Sequence, residues 1–339
     1  MDEFISQTSW MRDISDDAPV ATLSIPGTHN SCCVDGLLGF GKTQNLDLAD
    51  QLNAGIRFLD IRLAHYQDNL FAHHDVVHME KSYADILDIC TRFLRKHPSE
   101  TVLMSVKDED RFDSGLGKFA PSEAFGKSRE DSENWIVRSG SFEEAFKART
   151  WQHVEDASLF YNFAAPLSDG DSATTNLALT SETTLGEVRG KIVLLRRFEG
   201  SQDVGFNLTY WPENRRFRSA ARASLIYAVE DRYQDPGEDA KYNFIITHIE
   251  EARSRDPRDL YITFSSAVNL KARGYSKTIN PRLNDYLAGS PQGRVGIIAM
   301  DYFEEPRELV SNVIKMNFTA KATGGQDGER GNRGRHAGR

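Results

Sequence analysis

The sequence predicts an α/β fold, a single and somewhat distorted TIM-type β/α barrel with a long insertion after the fourth strand. Three observations lead there. Short apolar or alternating runs of strand type recur along the chain, at 20–25, 56–63, 70–73, 101–106, 191–196, 224–229, 260–264 and 295–300. Helical patterns lie between several of them, the alternation that produces parallel strands covered by helices. Nearly every run also ends on polar residues, as barrel strands do where their C-terminal ends build a site.

The helical segments have readable boundaries. Ser82 can cap a helix whose apolar residues Tyr83, Ile86, Leu87, Cys90, Phe93 and Leu94 keep a three-to-four spacing, and Pro98 stops it. Segments 242–253, 281–287 and 305–313 read the same way. The stretch from about 108 to 178 is rich in Ser, Gly, Asp and Glu and reads as an insertion, not a second domain. Residues 1–320 therefore form the barrel, and 321–339 a disordered tail. The last sixteen positions of that tail hold six Gly and four Arg with no apolar periodicity.

Composition narrows the function classes. The chain has 339 residues, with 41 Lys and Arg against 50 Asp and Glu, a formal charge of −9 that argues against a surface built to bind nucleic acid. Hydrophobic residues at 39% and charged residues at 27% are ordinary globular usage, which excludes a wholly disordered chain. No apolar run approaches the roughly 18 residues of a membrane helix. Cys32, Cys33 and Cys90 form no disulfide framework, since two are neighbours and the count is odd. The N-terminal residues lack the basic and apolar regions of a signal peptide.

The polar strand ends carry the chemistry. The first run leads into His29-Asn30. The second ends Asp60-Ile61-Arg62, where alternation puts Asp60 and Arg62 on one face. The third ends His73-His74-Asp75, the fourth at Lys107, the fifth Arg196-Arg197, the sixth Glu230-Asp231-Arg232-Tyr233 and the eighth Asp301-Tyr302. In a barrel these ends converge on one face. Two histidines, an arginine and a lysine provide a general base, a general acid and a cationic clamp, a set suited to phosphoryl transfer without a metal. Asp301 can orient a base histidine and stabilise its protonated form. Zinc at His73, His74 and His78 is the weaker alternative, because 70–74 reads as a strand and no Cys or HExxH pattern supports it.

At these residues the sequence resembles bacterial phosphatidylinositol-specific phospholipase C, of the PI-PLC X-domain family. The matching segments are SIPGTHNS (24–31), AGIRFLDIRL (54–63), LFAHHD (70–75), HPSETVLMSVKDED (97–110), RGKIVLLRRFEGS (189–201), TYWPEN (209–214), VEDRY (229–233), DLYITFSS (259–266) and RVGIIAMDY (294–302). The resemblance implies a lyase that cleaves phosphatidylinositol to diacylglycerol and inositol 1,2-cyclic phosphate. It implies His29 as general base, His74 as general acid, Arg62 as the charge stabiliser at phosphate and Asp301 as the orienting group for His29. Asp60 and Asn30 join this catalytic set; the best-known relatives have Asp where Asn30 stands. Lys107, Arg197 and Asp231 are implied to bind the inositol hydroxyls, with Tyr233 against the ring.

Calcium-using relatives carry carboxylates where this chain has Arg62 and Lys107, so no metal and no other cofactor is expected. Leu37, Leu38 and Phe40, in an apolar glycine-rich stretch after the catalytic loop, are the expected membrane contacts. The expected partners are phosphatidylinositol in a membrane surface, with glycosylated anchors a further substrate class, and no nucleic acid. A monomer is expected, and the resemblance implies an exported protein. A glycerophosphodiester phosphodiesterase would want a carboxylate-bound divalent ion, and an inactive phosphoinositide-binding module would lose one of the two histidines.

Overall fold

The computed structural model describes residues 6–35, 42–66, 69–74, 77–109, 140–164, 178–219, 224–268 and 272–318. Its strands are β1 (Ile25–Thr28), β2 (Phe58–Tyr66), β3 (Asn69–His74), β4 (Val77–Ser82), β5 (Val102–Asp108), β6 (Ile192–Arg197), β7 (Phe206–Asn207), β8 (Arg216–Arg218), β9 (Tyr227–Glu230), β10 (Leu260–Phe264) and β11 (Ile297–Met300). The helices are α1 (Leu48–Asn53), α2 (Tyr83–Lys96), α3 (Phe142–His153), α4 (Leu185–Val188), α5 (Glu238–Ser254), α6 (Ala272–Gly289) and α7 (Glu308–Lys315). Among the described residues the strands pair in the order β7-β6-β5-β2-β1-β11-β10-β9-β8. From β7 through β9 every pairing is parallel, and β8 alone runs antiparallel on β9. Among the described residues no ladder joins β7 to β8, so the barrel wall has a seam there. That seam is the distortion of an otherwise TIM-like barrel.

Burial on both faces explains why the strands read as near-continuous apolar runs. All six residues of β6 and all five of β10 are buried. Helix α2 forms as its sequence dictates. Ser82 accepts from the Asp85 N–H while the Asp85 carboxylate accepts from the Ser82 N–H, a reciprocal cap, and the six predicted apolar residues are buried. At the barrel floor, where β2 and β5 begin, Arg57 and Glu100 form a fully buried ion pair at 2.8 Å. The Arg57 guanidinium also donates to the carbonyls of Leu52, Ile56 and Thr8 and lies 4.5 Å from the centre of the Phe93 ring.

Several expected elements differ from those observed. Residues Val20–Thr22 form a 3₁₀ turn, and the first strand starts at Ile25, because Pro19 enters a turn closed by the Leu23 N–H on the Val20 carbonyl. The third expected strand is not a barrel stave. It is β3, which folds back antiparallel on β2 and continues into β4, so the run at 70–74 belongs to a meander extending β2. Length and alternation cannot distinguish the two, since an antiparallel arm and a short stave have the same period. His73 pairs opposite His78 on that arm.

Residues 140–164, assigned from composition to the insertion, supply helix α3. Ser141 and Glu144 cap it reciprocally. Phe146 stacks on Tyr83 of α2 at 5.0 Å, and Tyr83 Oη hydrogen-bonds Thr150 Oγ1 at 3.1 Å. Phe160 bridges to Ile192 of β6. The rest of that stretch, 110–139 and 165–177, the 319–339 region and the expected membrane contacts Leu37, Leu38 and Phe40 lie outside the described residues. No helix among the described residues is long and apolar enough to cross a membrane.

Candidate active site

The parallel register builds the site. Arg62 of β2 lies opposite Lys107 of β5, and Lys107 lies opposite Arg197 of β6. Three cations therefore stand side by side at one level of three adjacent staves. Two residues below Arg62 on the same face, Asp60 is fully buried and holds two of them. Arg62 Nε donates to Asp60 Oδ2 at 3.0 Å and Arg197 Nη1 to Oδ1 at 3.1 Å. The Asn30 backbone N–H adds a third bond to Oδ2, at 3.0 Å. Burial opposes ionisation of Asp60, but Arg62, Arg197, His29 and the Asn30 N–H together hold its carboxyl well below the usual range. The sign is that of a carboxylate stabilised when ionised. This network supports the fold throughout the neutral range and is lost only in strong acid.

His29 follows β1 and Asp301 follows β11, strands paired in parallel with Thr28 opposite Met300. The ring Nδ1 of His29 lies 2.8 Å from Asp301 Oδ1, which assigns the proton to Nδ1 and makes Nε2 the acceptor nitrogen of the ring. The backbone beneath is clamped from both sides. Gln44 Nε2 donates to the carbonyls of His29 and Met300, each at 2.8 Å, and Asn280 Nδ2 of α6 donates to those of Asp301 and Tyr302. Asn30 and Tyr302, directly after the two residues of the pair, have φ of 43° and 47°. Left-handed backbone at non-glycine residues concentrates where a turn must aim a functional side chain. Gly27 is required two residues earlier, because a Cβ there would fall 2.8 Å from Phe58 Cβ. The edge of Phe264 meets the His29 ring, with centroids 5.9 Å apart.

The other wall completes a ring of contacts. Glu109, buried just past β5, accepts from Arg62 Nη1 at 3.2 Å and Lys107 Nζ at 3.1 Å. Burial and the neighbouring Arg62 push the Lys107 ammonium below the usual lysine range, against the pull of Glu109. Arg197 lies over the Trp211 ring at 3.7 Å, and Trp211 Nε1 donates to Asp231 Oδ2 at 2.8 Å. Tyr233 Oη donates to Glu213 at 2.7 Å, and burial followed by that carboxylate pushes the phenol up to about 12. Glu213 also stands 3.6 Å from Lys107 Nζ.

Of the residues singled out from sequence, His29, Asn30, Asp60, Arg62, Lys107, Arg197, Asp231, Tyr233 and Asp301 converge on the C-terminal ends of the staves. His74 ends β3, paired with Val77; its side chain, like that of His78, lies outside the described residues. Among the described residues no three His, Cys, Asp or Glu side chains gather as a metal site. Glu109, Trp211, Glu213 and Phe264 were given no role from sequence. Alternation could have found Glu109, two positions beyond Lys107. Trp211 and Glu213 sit in a loop after a two-residue strand, where no periodicity points anywhere.

Residues 17–115 match the family described as phosphatidylinositol-specific phospholipase C, X domain. A 1-phosphatidylinositol phosphodiesterase of Listeria monocytogenes is 26% identical over 324 residues, covering 92% of this chain and 86% of that protein. One from Staphylococcus aureus strain Newman is 27% identical over 334 residues, covering 92% of this chain and 95% of its own. Among solved structures, a phosphatidylinositol-specific phospholipase C from S. aureus superposes with a TM-score of 0.75 at 24% identity, over 92% of this chain and 98% of that one. The L. monocytogenes phosphatidylinositol-specific phospholipase C superposes with a TM-score of 0.66 at 24% identity, over 93% of this chain and all of that one. The family match over the first staves, the two curated relatives along 92% of the chain and the shared barrel agree: residues 17–115 match the phosphatidylinositol-specific phospholipase C X domain, and the chain as a whole is similar to bacterial 1-phosphatidylinositol phosphodiesterases.

Proposed function

We propose that this protein is a phosphatidylinositol-specific phospholipase C that cleaves its lipid by intramolecular attack, with His29 as base and no metal. The observation that carries the reading is the His29–Asp301 pair beside the row of Arg62, Lys107 and Arg197. With Nδ1 committed to Asp301, His29 Nε2 takes the proton of the inositol 2-hydroxyl, and that oxygen bonds to phosphorus. The bond from phosphorus to the glycerol oxygen breaks, and His74 supplies the proton to the departing diacylglycerol. The product is inositol 1,2-cyclic phosphate. Arg62, already anchored on Asp60, meets the negative charge on the non-bridging oxygens without reorganising. Lys107, Arg197 and Asp231 hold the inositol hydroxyls, and Tyr233 lies against the ring.

Two fixed cations at Arg62 and Lys107 occupy the electrostatic role a divalent ion would fill. Phosphatidylinositol vesicles incubated with the protein in excess chelator are expected to yield the cyclic phosphodiester resonance by ³¹P NMR. Product only after Ca²⁺ is added would overturn the metal-free mechanism, and no product under either condition would overturn the function.

The substrate lies in a membrane surface, and the rim of the barrel faces it. Leu37, Leu38 and Phe40 are proposed contacts from the sequence. Tyr210 is a further one, since it is 64% exposed beside Trp211 in the loop after β7. An aromatic ring with a polar tip suits the lipid–water boundary. Tyr210→Ser is expected to weaken binding to phosphatidylcholine–phosphatidylinositol vesicles about three- to tenfold, the scale of one buried aromatic contact. Hydrolysis of soluble cyclic inositol phosphate should stay unchanged; an equal loss on both substrates would place Tyr210 in the site instead.

A further inference from the structure

One charged side chain near the site has no part in that mechanism. Lys241, in the first turn of α5, is fully buried. A lysine is almost never so enclosed unless its ammonium is paired. Its Nζ donates to the backbone carbonyl of Arg232 at 2.8 Å. Arg232 stands between Asp231 and Tyr233, the two inositol-side residues carried by the loop that follows β9. Its own guanidinium is paired with both oxygens of Glu230 and lies 3.3 Å from the Phe244 ring centre. The middle of this loop is thus held from below through its backbone, while its flanks are held elsewhere. The Tyr233 N–H donates to Asn214 Oδ1, and the Tyr233 carbonyl accepts from the N–H groups of Asp235 and Val268.

We infer that Lys241 is a positioning residue for substrate binding: its buried ammonium fixes the peptide between Asp231 and Tyr233 and thereby sets their reach toward the inositol ring. This inference rests on the proposed phospholipase reading for its ligand but not for its geometry. The charged groups around the ammonium come from three elements: Glu230 and Asp231 at the end of β9, Arg232 just beyond, and Asp301 at the end of β11. His248, about two helical turns along α5, feels Lys241 as one of three repelling cations. Burial lowers Lys241 to about 8, with Glu230, Asp231 and Asp301 pulling upward and Arg232 downward. As pH rises through that value the amine loses its charge and its attraction to the three carboxylates. It keeps at most a neutral, weaker bond to the Arg232 carbonyl.

The test compares wild type with Lys241→Met and Lys241→Arg on phosphatidylinositol in mixed micelles, alongside amide hydrogen exchange of residues 231–237. Lys241→Met is expected to raise KM about tenfold with kcat within about twofold, the loss of one charge-assisted hydrogen bond, and to speed exchange in the loop. Lys241→Arg, which stays charged, should recover most of the KM. In wild type KM should climb as pH passes about 8, whereas in Lys241→Arg it should not. Unchanged KM and exchange in Lys241→Met, or the same pH profile in wild type and Lys241→Arg, would overturn the inference. If Lys241→Met does not fold, the paired pH profiles decide. If wild type cleaves no phosphatidylinositol, the functional reading fails and the exchange rates alone decide for Lys241.

Discussion

His29→Ala is expected to lower turnover of phosphatidylinositol by about 10²- to 10⁴-fold, the usual worth of a positioned general base, with KM and thermal stability close to wild type. The ring is partly exposed at the barrel mouth, and its backbone is held by Gln44 rather than by the imidazole, so its loss leaves the floor and staves intact. Asp301→Asn should fall between the two, because an amide can hold the ring but does not stabilise the imidazolium that forms as the inositol proton is taken. Initial rates of cyclic phosphate formation by ³¹P NMR, with circular dichroism as the folding control, decide the matter. A His29→Ala protein that keeps more than about a tenth of wild-type turnover would exclude His29 as the base.

The largest effect on stability is expected at the opposite end of the barrel. Glu100→Ala should lower the free energy of unfolding by about 3–5 kcal/mol, the cost of leaving a buried charge without its partner. Arg57 and Glu100 are both wholly inaccessible, and Glu100 accepts from Arg57 Nε at 3.0 Å and Nη2 at 2.8 Å. The Met11 N–H also donates to Glu100, so the variant loosens the N-terminal segment against the floor. Urea unfolding measures the difference. The double variant Arg57→Met/Glu100→Leu should recover much of it, since two apolar side chains need no counter-charge. Equal losses in the single and double variants would mean that packing against Phe93 and the Leu52 and Ile56 carbonyls, not charge, dominates the site.

How much of this was legible in the chain depended on whether a residue sat in a periodic element. Asp60, Arg62, Lys107 and Arg197 could be read because strand alternation and parallel register turn sequence position into direction. Helix α2 could be read down to its cap. The meander of β3 and β4 could not, because a strand pattern carries no sign of parallel or antiparallel pairing. Trp211 and Glu213 join the site only through a loop whose course depends on tertiary packing. Lys241 lies just before the helical segment read at 242–253; only the fold reveals that α5 starts at Glu238 and buries it under the Arg232 carbonyl. Helix α3 was hidden by its polar surroundings in sequence, and its contacts to Tyr83 and Phe163 involve partners far along the chain.

The two left-handed residues beside the His29–Asp301 pair set stability and function against each other. Asn30 and Tyr302 each occupy a backbone region that costs an ordinary residue about 1–2 kcal/mol, and glycine would occupy it freely. Selection for a more robust protein would therefore favour glycine most at the Tyr302 corner, where the chain instead carries a side chain whose Oη bond to the Lys42 carbonyl needs the turn; Asn30, of a type that visits this region more readily, presents its backbone N–H to Asp60 from there. The His29–Asp301 geometry is thus maintained at the expense of the fold's own margin. Programmes that raise heat tolerance by removing unfavourable torsions will find these two positions first, and should leave them alone.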